Sequence, residues 1–486
     1  MRRFVSDLKW TTLHQAAYIG INYVVLIVLT RLLSSADFGL AALSGVLIGL
    51  FEVLNGFGIP QLIIKNRVTD SARIGFYLAF CAALSTLLAL LCALSGQVYV
   101  WWFGGEYRAE LSAMIAVSSG GLLFNGVAAV YGAQYQRDLD FKTPALFSIV
   151  SLALGNALAV WYAAEKGDYW ALVVRNLAPS GLLALGFIAF SAYRPTFRPG
   201  QRLLPEERRF TFWLSGNQIV NYLSRNLDYV VIGRFFEIGI VGQYSIAYRL
   251  MLFPMKFLSS RVQAVLYPTL ARMRDNPERL MSFYVKAVSY IGFVMFPFMG
   301  LVGVTAPLWA PWVFDTERYD ALLPLIQWLT VAGAFQAVTA PIGSLYLVFN
   351  MVRLMAAYTT ASALVFLAGY GLGAWSGDIV AFAMIYVALS VAVNFFAANY
   401  VPLSRLNYPF GVFLRQTLEP ALPAAAAYAG VWIGLTWLGQ DTARTGQAFV
   451  FAAAMAVYTG MYFALYAWQF GPTLREKMNK LKTLIS

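Results

Sequence analysis

The feature that most constrains this chain is a succession of long apolar runs, each about the 20 residues a helix needs to cross a lipid bilayer. Lipid offers the backbone no hydrogen-bond partner, so such runs must satisfy their N–H and C=O groups internally, as helices packed together. A window of about 19 residues gives about fourteen candidate spans. They are Trp10–Leu33, Phe38–Ile63, Arg73–Val98, Leu111–Tyr135, Thr143–Ala164, Tyr169–Tyr193, Phe210–Phe235, Ile240–Ser260, Phe283–Trp309, Leu322–Phe349, Leu354–Trp375, Ile379–Tyr400, Phe413–Trp437 and Ala448–Phe470. Composition agrees. The chain is 60% hydrophobic and 12% charged, against about 25% charged in soluble domains, and so could not cover a soluble surface. The first run follows Met1-Arg2-Arg3 like a secretory signal, but it is too long and is interrupted by His14, Gln15 and Asn22. It is read as a retained span.

The loops give an orientation. Arg2, Arg3 and Lys9, then Lys65, Arg67 and Arg73, Arg137 and Lys142, Arg194 to Arg209, Arg261 to Arg279, Arg353, Arg405 and Arg415, and the tail from Arg475 to Lys482 all fall on one side. The opposite loops hold Arg31, Arg108, Lys166, Arg234, Arg318 and Arg444, a bias of roughly four to one. Both termini are therefore expected in the cytoplasm. The net charge of +12 is explained by this topology and by anionic lipid beside the basic tail. No compact basic module for nucleic acid is visible. Cys81 and Cys92 share one run as small core residues, and with His14 the only histidine there is no metal-ligand cluster. No cofactor is expected. The short loops leave no room for a soluble catalytic domain.

The first and seventh spans repeat at an offset of about 203 residues. His14-Gln15 aligns with Asn217-Gln218, Val28-Leu29-Thr30-Arg31 with Val231-Ile232-Gly233-Arg234, and Gly39 with Gly242. An even number of spans separates the copies, so the two halves should be related by an axis along the membrane normal.

Four segments carry a family resemblance: Thr30-Arg31-Leu32-Leu33-Ser34-Ser35-Ala36-Asp37-Phe38-Gly39-Leu40, Gly56-Phe57-Gly58, Gln136-Arg137-Asp138-Leu139-Asp140-Phe141-Lys142, and Leu227-Asp228-Tyr229-Val230-Val231-Ile232-Gly233-Arg234-Phe235. With them the chain resembles the polysaccharide transporters of the multidrug/oligosaccharidyl-lipid/polysaccharide superfamily, especially the WzxC-like exopolysaccharide flippases. The resemblance implies an all-α integral membrane fold: two pseudo-symmetric six-helix bundles plus two C-terminal helices. The bundles would cover residues 1–193 and 210–400, joined by a basic cytoplasmic linker at 194–209. Residues 401–486 would hold the extra helices and the basic tail. It also implies a non-enzymatic function in the bacterial inner membrane. A polyprenyl-pyrophosphate-linked oligosaccharide would be moved from the cytoplasmic to the periplasmic leaflet by alternating access, with polysaccharide polymerase or export machinery as partners.

Ionisable side chains within spans are costly and mark cavities or partners. In the seventh span Asn217, Asn221, Arg225 and Asp228 form one polar stripe, in which Arg225 and Asp228 could pair along the helix. In the eighth, Arg249 and Lys256 share a face without an acid in the same span. The first span carries His14, Tyr18 and Asn22 at four-residue spacing, and Arg175 lies in the sixth. His14, Asn22, Arg175, Asn217, Asn221, Arg225, Arg249 and Lys256 are the substrate-binding candidates. Arg225 and Arg249 suit a pyrophosphate or acidic sugar, because guanidinium groups bind phosphate oxygens bidentately. Glu52 and Asp228 are the ion-coupling candidates. A drug or small-cation antiporter of the same superfamily should carry more acids than bases at depth. A polymerase or glycosyltransferase should carry a large outer loop or a carboxylate pair at a membrane face; Asp138 and Asp140 lie in a small connector.

Overall fold

The structure is a computed structural model. It describes residues 2–485 apart from 104, 199, 316–318 and 439–443; the side chains of 2–9, 210, 213–214, 216–217, 220–221, 256–265, 438, 444–448 and 470–485 lie outside that description. The first half contains helices α1 (Arg2–Leu32), α2 (Ser35–Leu54), α3 (Ile59–Lys65), α4 (Ser71–Phe103), α5 (Arg108–Ser118), α6 (Gly121–Arg137), α7 (Lys142–Lys166), α8 (Trp170–Phe190), α9 (Pro205–Arg225), α10 (Leu227–Phe235) and α11 (Ile238–Arg272). There follow α12 (Pro277–Val304), α13 (Ala306–Val313), α14 (Leu322–Thr339), α15 (Ile342–Val348), α16 (Val352–Trp375), α17 (Ile379–Leu389), α18 (Ala398–Arg405), α19 (Phe410–Leu418), α20 (Ala421–Leu438) and α21 (Arg444–Ile485). A π-helical segment, Ser390–Ala397, joins α17 to α18.

Among the described residues, 11 helical stretches are long and apolar enough to cross a membrane. The three remaining expected spans, Phe210–Phe235, Ile240–Ser260 and Phe413–Trp437, fall on α9–α10, α11 and α19–α20. The first and last of these are interrupted, and α11 includes side chains outside the description.

Several spans are broken for visible reasons. The second stops at Asn55, where Gly56, Phe57 and Gly58 all take left-handed backbone (φ 76°, 45° and 68°) before α3 begins. Glycine reaches that region without strain, and the pair brackets a phenylalanine that does not. The seventh stops at Asn226, whose φ of −119° and ψ of 13° leave the helix, while its side-chain amide donates to Tyr222 O at 2.8 Å.

The chain divides into two compact units, Met1–Ser245 and Ile246–Ser486, with the boundary inside α11. In the first unit α9 and α10 pack on α2, so compactness and the sequence repeat divide the chain at different places. The core gathers Ile59, Ile63, Ile74, Tyr77, Cys81 and Val130. Cys81 and Cys92 are free and buried.

The linker of 194–209 is strapped to α4. Ser71 Oγ donates to Arg194 O at 2.8 Å, Thr196 N–H to Ser71 O at 3.2 Å, and Arg73 to Arg202 O at 2.9 Å. Glu207 then accepts from Arg73 (2.5 Å), Tyr77 Oη (2.6 Å) and Leu204 N–H (2.9 Å). Burial pushes the Glu207 carboxyl up, but these donors together hold it below the usual carboxylate range.

In the second unit α12 is central, packed on α14, α19, α20 and α21. Tyr458, Tyr462 and Tyr466 recur every fourth residue on α21, and all are buried. Their hydroxyls donate to Ala424 O (3.4 Å), Phe293 O (3.2 Å) and the Glu419 carboxylate, tying the trailing pair to α12 and to its own entry turn.

Candidate functional site

Among the described residues, His14, Asn22, Arg175, Glu52 and Asp228 meet partners on other helices, and Arg225 has none. On α1, His14 Nε2 lies 2.8 Å from Ser148 Oγ on α7. Asn22 donates to Tyr18 O at 2.8 Å and accepts from Arg175 of α8 at its carbonyl (3.2 Å) and side-chain oxygen (3.4 Å). The stripe on α1 thus holds α7 and α8. Glu52 is exposed on α2, with one carboxylate oxygen accepting from Asn125 of α6 at 3.2 Å. Asn55, one turn on, serves a different pair: its amide donates to Leu122 O at 2.8 Å and its carbonyl accepts from Ser85 at 2.6 Å.

The break in the seventh span decides what Arg225 and Asp228 do. Asp228 is buried in the first turn of α10 and accepts from Tyr244 Oη at 2.8 Å and from Tyr229 N–H at 2.9 Å. Tyr244 is fully buried. No ion pair joins Arg225 to Asp228 among the described residues. The expected pairing assumed a continuous helix, and the turn at Asn226 takes the two side chains out of i, i+3 register. Arg225, the last residue of α9, is exposed and has no hydrogen bond or ion pair among the described residues.

Arg249 is exposed on the part of α11 that belongs to the second unit. The side chains of Asn217, Asn221 and Lys256 lie outside the described residues.

The resemblance motifs have specific structural roles. Ser34 and Asp37 form a reciprocal capping box on α2, with Asp37 accepting from Ser34 N–H at 2.9 Å and Asp37 N–H donating to Ser34 Oγ at 3.2 Å. Asp138 accepts from Arg137 (2.6 Å) and Tyr193 Oη (2.6 Å), and Asp140 caps α7 through Thr143 N–H at 3.1 Å. The two carboxylates are thus each committed to a turn. Tyr244 and Tyr222 escaped the sequence reading. Tyr244 holds Asp228. Tyr99 donates to Leu43 O at 3.0 Å. Tyr222 of α9 donates to Val46 O at 2.9 Å, above Gly49, where any Cβ would lie 2.2 Å from the hydroxyl. Glycine at 49 admits this hydroxyl.

A family profile described as polysaccharide biosynthesis protein matches residues 28–324. The chain belongs to that family. It is 27% identical over 355 residues to the lipopolysaccharide biosynthesis protein WzxC of Escherichia coli (strain K12), covering 70% of this chain and 69% of the relative. It is 23% identical over 422 residues to the succinoglycan biosynthesis transport protein ExoT of Rhizobium meliloti (strain 1021), covering 84% and 82%. The teichuronic acid biosynthesis protein TuaB of Bacillus subtilis (strain 168) is 22% identical over 434 residues, 87% of each. Among solved structures, the lipid II flippase MurJ in an inward closed conformation superposes with a TM-score of 0.75 at 12% identity, covering 97% of this chain and 100% of that one. The chain therefore has the helical membrane fold of MurJ.

Proposed function

We propose that this chain is a flippase for polyprenyl-pyrophosphate-linked oligosaccharide, moving the head group from the cytoplasmic to the periplasmic leaflet of a bacterial inner membrane by alternating access. The observation that carries the reading is Arg225: an exposed guanidinium without a protein partner among the described residues, at a helix break inside the expected span Phe210–Phe235. Interrupted helices with polar groups at the break are a common way to build a substrate site at mid-membrane depth. Family membership and the names of the relatives, all from polysaccharide synthesis, support the substrate class. Arg225 and Arg249 are each candidates for holding the pyrophosphate or an acidic sugar, and Asn217, Asn221 and Lys256 are further candidates for substrate contact. His14, Asn22 and Arg175 would line the first half while bracing it. Glu52 and Asp228 are the candidate sites for ion coupling. Both termini would face the cytoplasm, and a polysaccharide polymerase would receive the product.

A drug antiporter is disfavoured by the excess of basic over acidic groups at depth. The testing experiment is deletion with rescue. Wild-type chain should restore surface polysaccharide and clear lipid-linked units from the inner leaflet. The variant carrying both Arg225→Gln and Arg249→Gln should restore neither at equal protein level. Full rescue by that variant contradicts the assignment.

A further inference from the structure

We propose that the groove between α4 and α5, at the turn that joins them, is a phospholipid site. It takes the phosphodiester of a phosphatidylglycerol on Arg108 and lays one acyl chain along α5. The site rests on the membrane character of the chain and stands whether or not the flippase reading does.

The groove follows from the faces that the two helices turn towards each other. α4 ends at Phe103, and α5 starts at Arg108 and packs back against it. They are in close contact at Gly96, where any Cβ would lie 2.9 Å from Ile115 Cγ2. Beside that contact Gln97, Val100 and Trp101 of α4 and Arg108, Ser112 and three alanines of α5 line a groove of about 480 Å³. Three- and four-residue spacings put each set on one helix face. The space exists because α5 carries only alanine at 109, 113 and 116.

Polarity falls with depth along this groove. Arg108 stands at the turn, exposed and with no hydrogen bond or ion pair among the described residues. One turn further in, about 6 Å at 1.5 Å per residue, Gln97 Nε2 donates to Ser112 Oγ at 2.8 Å across the two helices. That bond leaves a second amide hydrogen and the serine hydroxyl hydrogen to donate. Ala116, about 12 Å from Arg108 along the helix, offers only apolar surface. Cation, then donors, then hydrocarbon is the order in which a phospholipid presents its phosphate, its ester carbonyls and its acyl chain. A guanidinium binds phosphate oxygens in pairs. Trp101, exposed at the rim, is the residue type that settles at the level of head groups.

The same residues select the head group. None that lines the groove is acidic, so the ammonium of a zwitterionic lipid would find no partner there, and a lone cation favours a lipid of net negative charge. Glu110 lies two residues from Arg108, on the other side of α5, with one carboxylate oxygen buried. Glu106 belongs to the turn and does not line the groove.

The test uses the purified full chain in phosphatidylcholine nanodiscs with a trace of phosphatidylglycerol that carries a diazirine on one acyl chain. Irradiation and digestion should place label on the segment 97–116. Unlabelled phosphatidylglycerol should displace it at concentrations where phosphatidylethanolamine and diacylglycerol of the same chains do not. Arg108→Gln should lower labelling of this segment at least fivefold, and Ala113→Leu, which fills the groove, should do so with the guanidinium intact. Label on other segments of the same digest is the reference for folded protein. Equal labelling of 97–116 in the parent and in Arg108→Gln, or displacement by diacylglycerol as readily as by phosphatidylglycerol, reduces the groove to ordinary lipid contact and overturns the site. Displacement by phosphatidylethanolamine as readily as by phosphatidylglycerol overturns the choice of head group.

Discussion

At the scale of single residues, Arg225 and Glu207 are opposite solutions to a charge near lipid. Arg225 is exposed at a helix break with no partner among the described residues; Glu207 is wrapped by three donors. Arg225→Gln should therefore leave thermal stability in detergent within about 0.5 kcal/mol of the parent, as expected for a partnerless exposed group, while export falls at least tenfold. A large loss of stability would mean that the guanidinium braces the fold. Glu207→Gln should do the reverse, costing about 1–3 kcal/mol of stability at neutral pH through lost charge-assisted bonds. Because the Glu207 carboxyl is held low in the folded state, its contribution is present above the ordinary value of about 4.3 and is lost as pH falls through the lower folded value. Stability curves from pH 7 to pH 3 should slope less in the variant; parallel curves would remove the linkage. Tyr244→Phe should destabilise by about 1–3 kcal/mol, since it withdraws the donor to a buried carboxylate. Asp228→Asn, which can still accept that bond, should cost less.

At the scale of elements, what could be read in the sequence followed the periodicity of apolar runs, and what could not followed breaks in them. The positions of α7, α8 and α16 lay within a few residues of expectation because each is an unbroken run bounded by polar loops. The interruption at Gly56-Phe57-Gly58 had a visible cue in its glycines. The one at Asn226 had none, because a lone Asn between Arg225 and Leu227 reads equally well as part of a polar helical stripe. The pairing expected for Arg225 and Asp228 failed there. Tyr222 and Tyr244 were missed for a related reason: an aromatic within an apolar run gives no signal of what its hydroxyl will meet. The last two spans looked featureless, yet Tyr458, Tyr462 and Tyr466 at four-residue spacing carried the information that one face is buried and polar-tipped. Replacing Tyr462 and Tyr466 together by Phe should keep the ring packing on Phe293 and remove two hydroxyl bonds, lowering stability in detergent by about 1–3 kcal/mol. No change in the melting midpoint would show that the ladder is held by ring packing alone.

At the scale of the whole molecule, membrane class was legible because apolar length recurs along the chain, and family because four short segments carry it. The resemblance motifs proved to be caps, turns and close contacts, such as Ser34 with Asp37, Asp140 with Thr143, and Gly39 on Ile238. They report how the fold is built, and they place its substrate chemistry only indirectly, through the break beside Asp228. The central claim is that a polar head group crosses the bilayer through this protein. The most direct measurement reconstitutes the purified chain into liposomes holding extracted polyprenyl-pyrophosphate oligosaccharide. It then follows digestion of the glycan by an external glycosidase that cannot cross the membrane. The account predicts that digestion proceeds from the outer-leaflet fraction to near completion with the wild-type chain and at least tenfold more slowly with Arg225→Gln. Digestion that stops at the outer-leaflet fraction, as in protein-free liposomes, would contradict it.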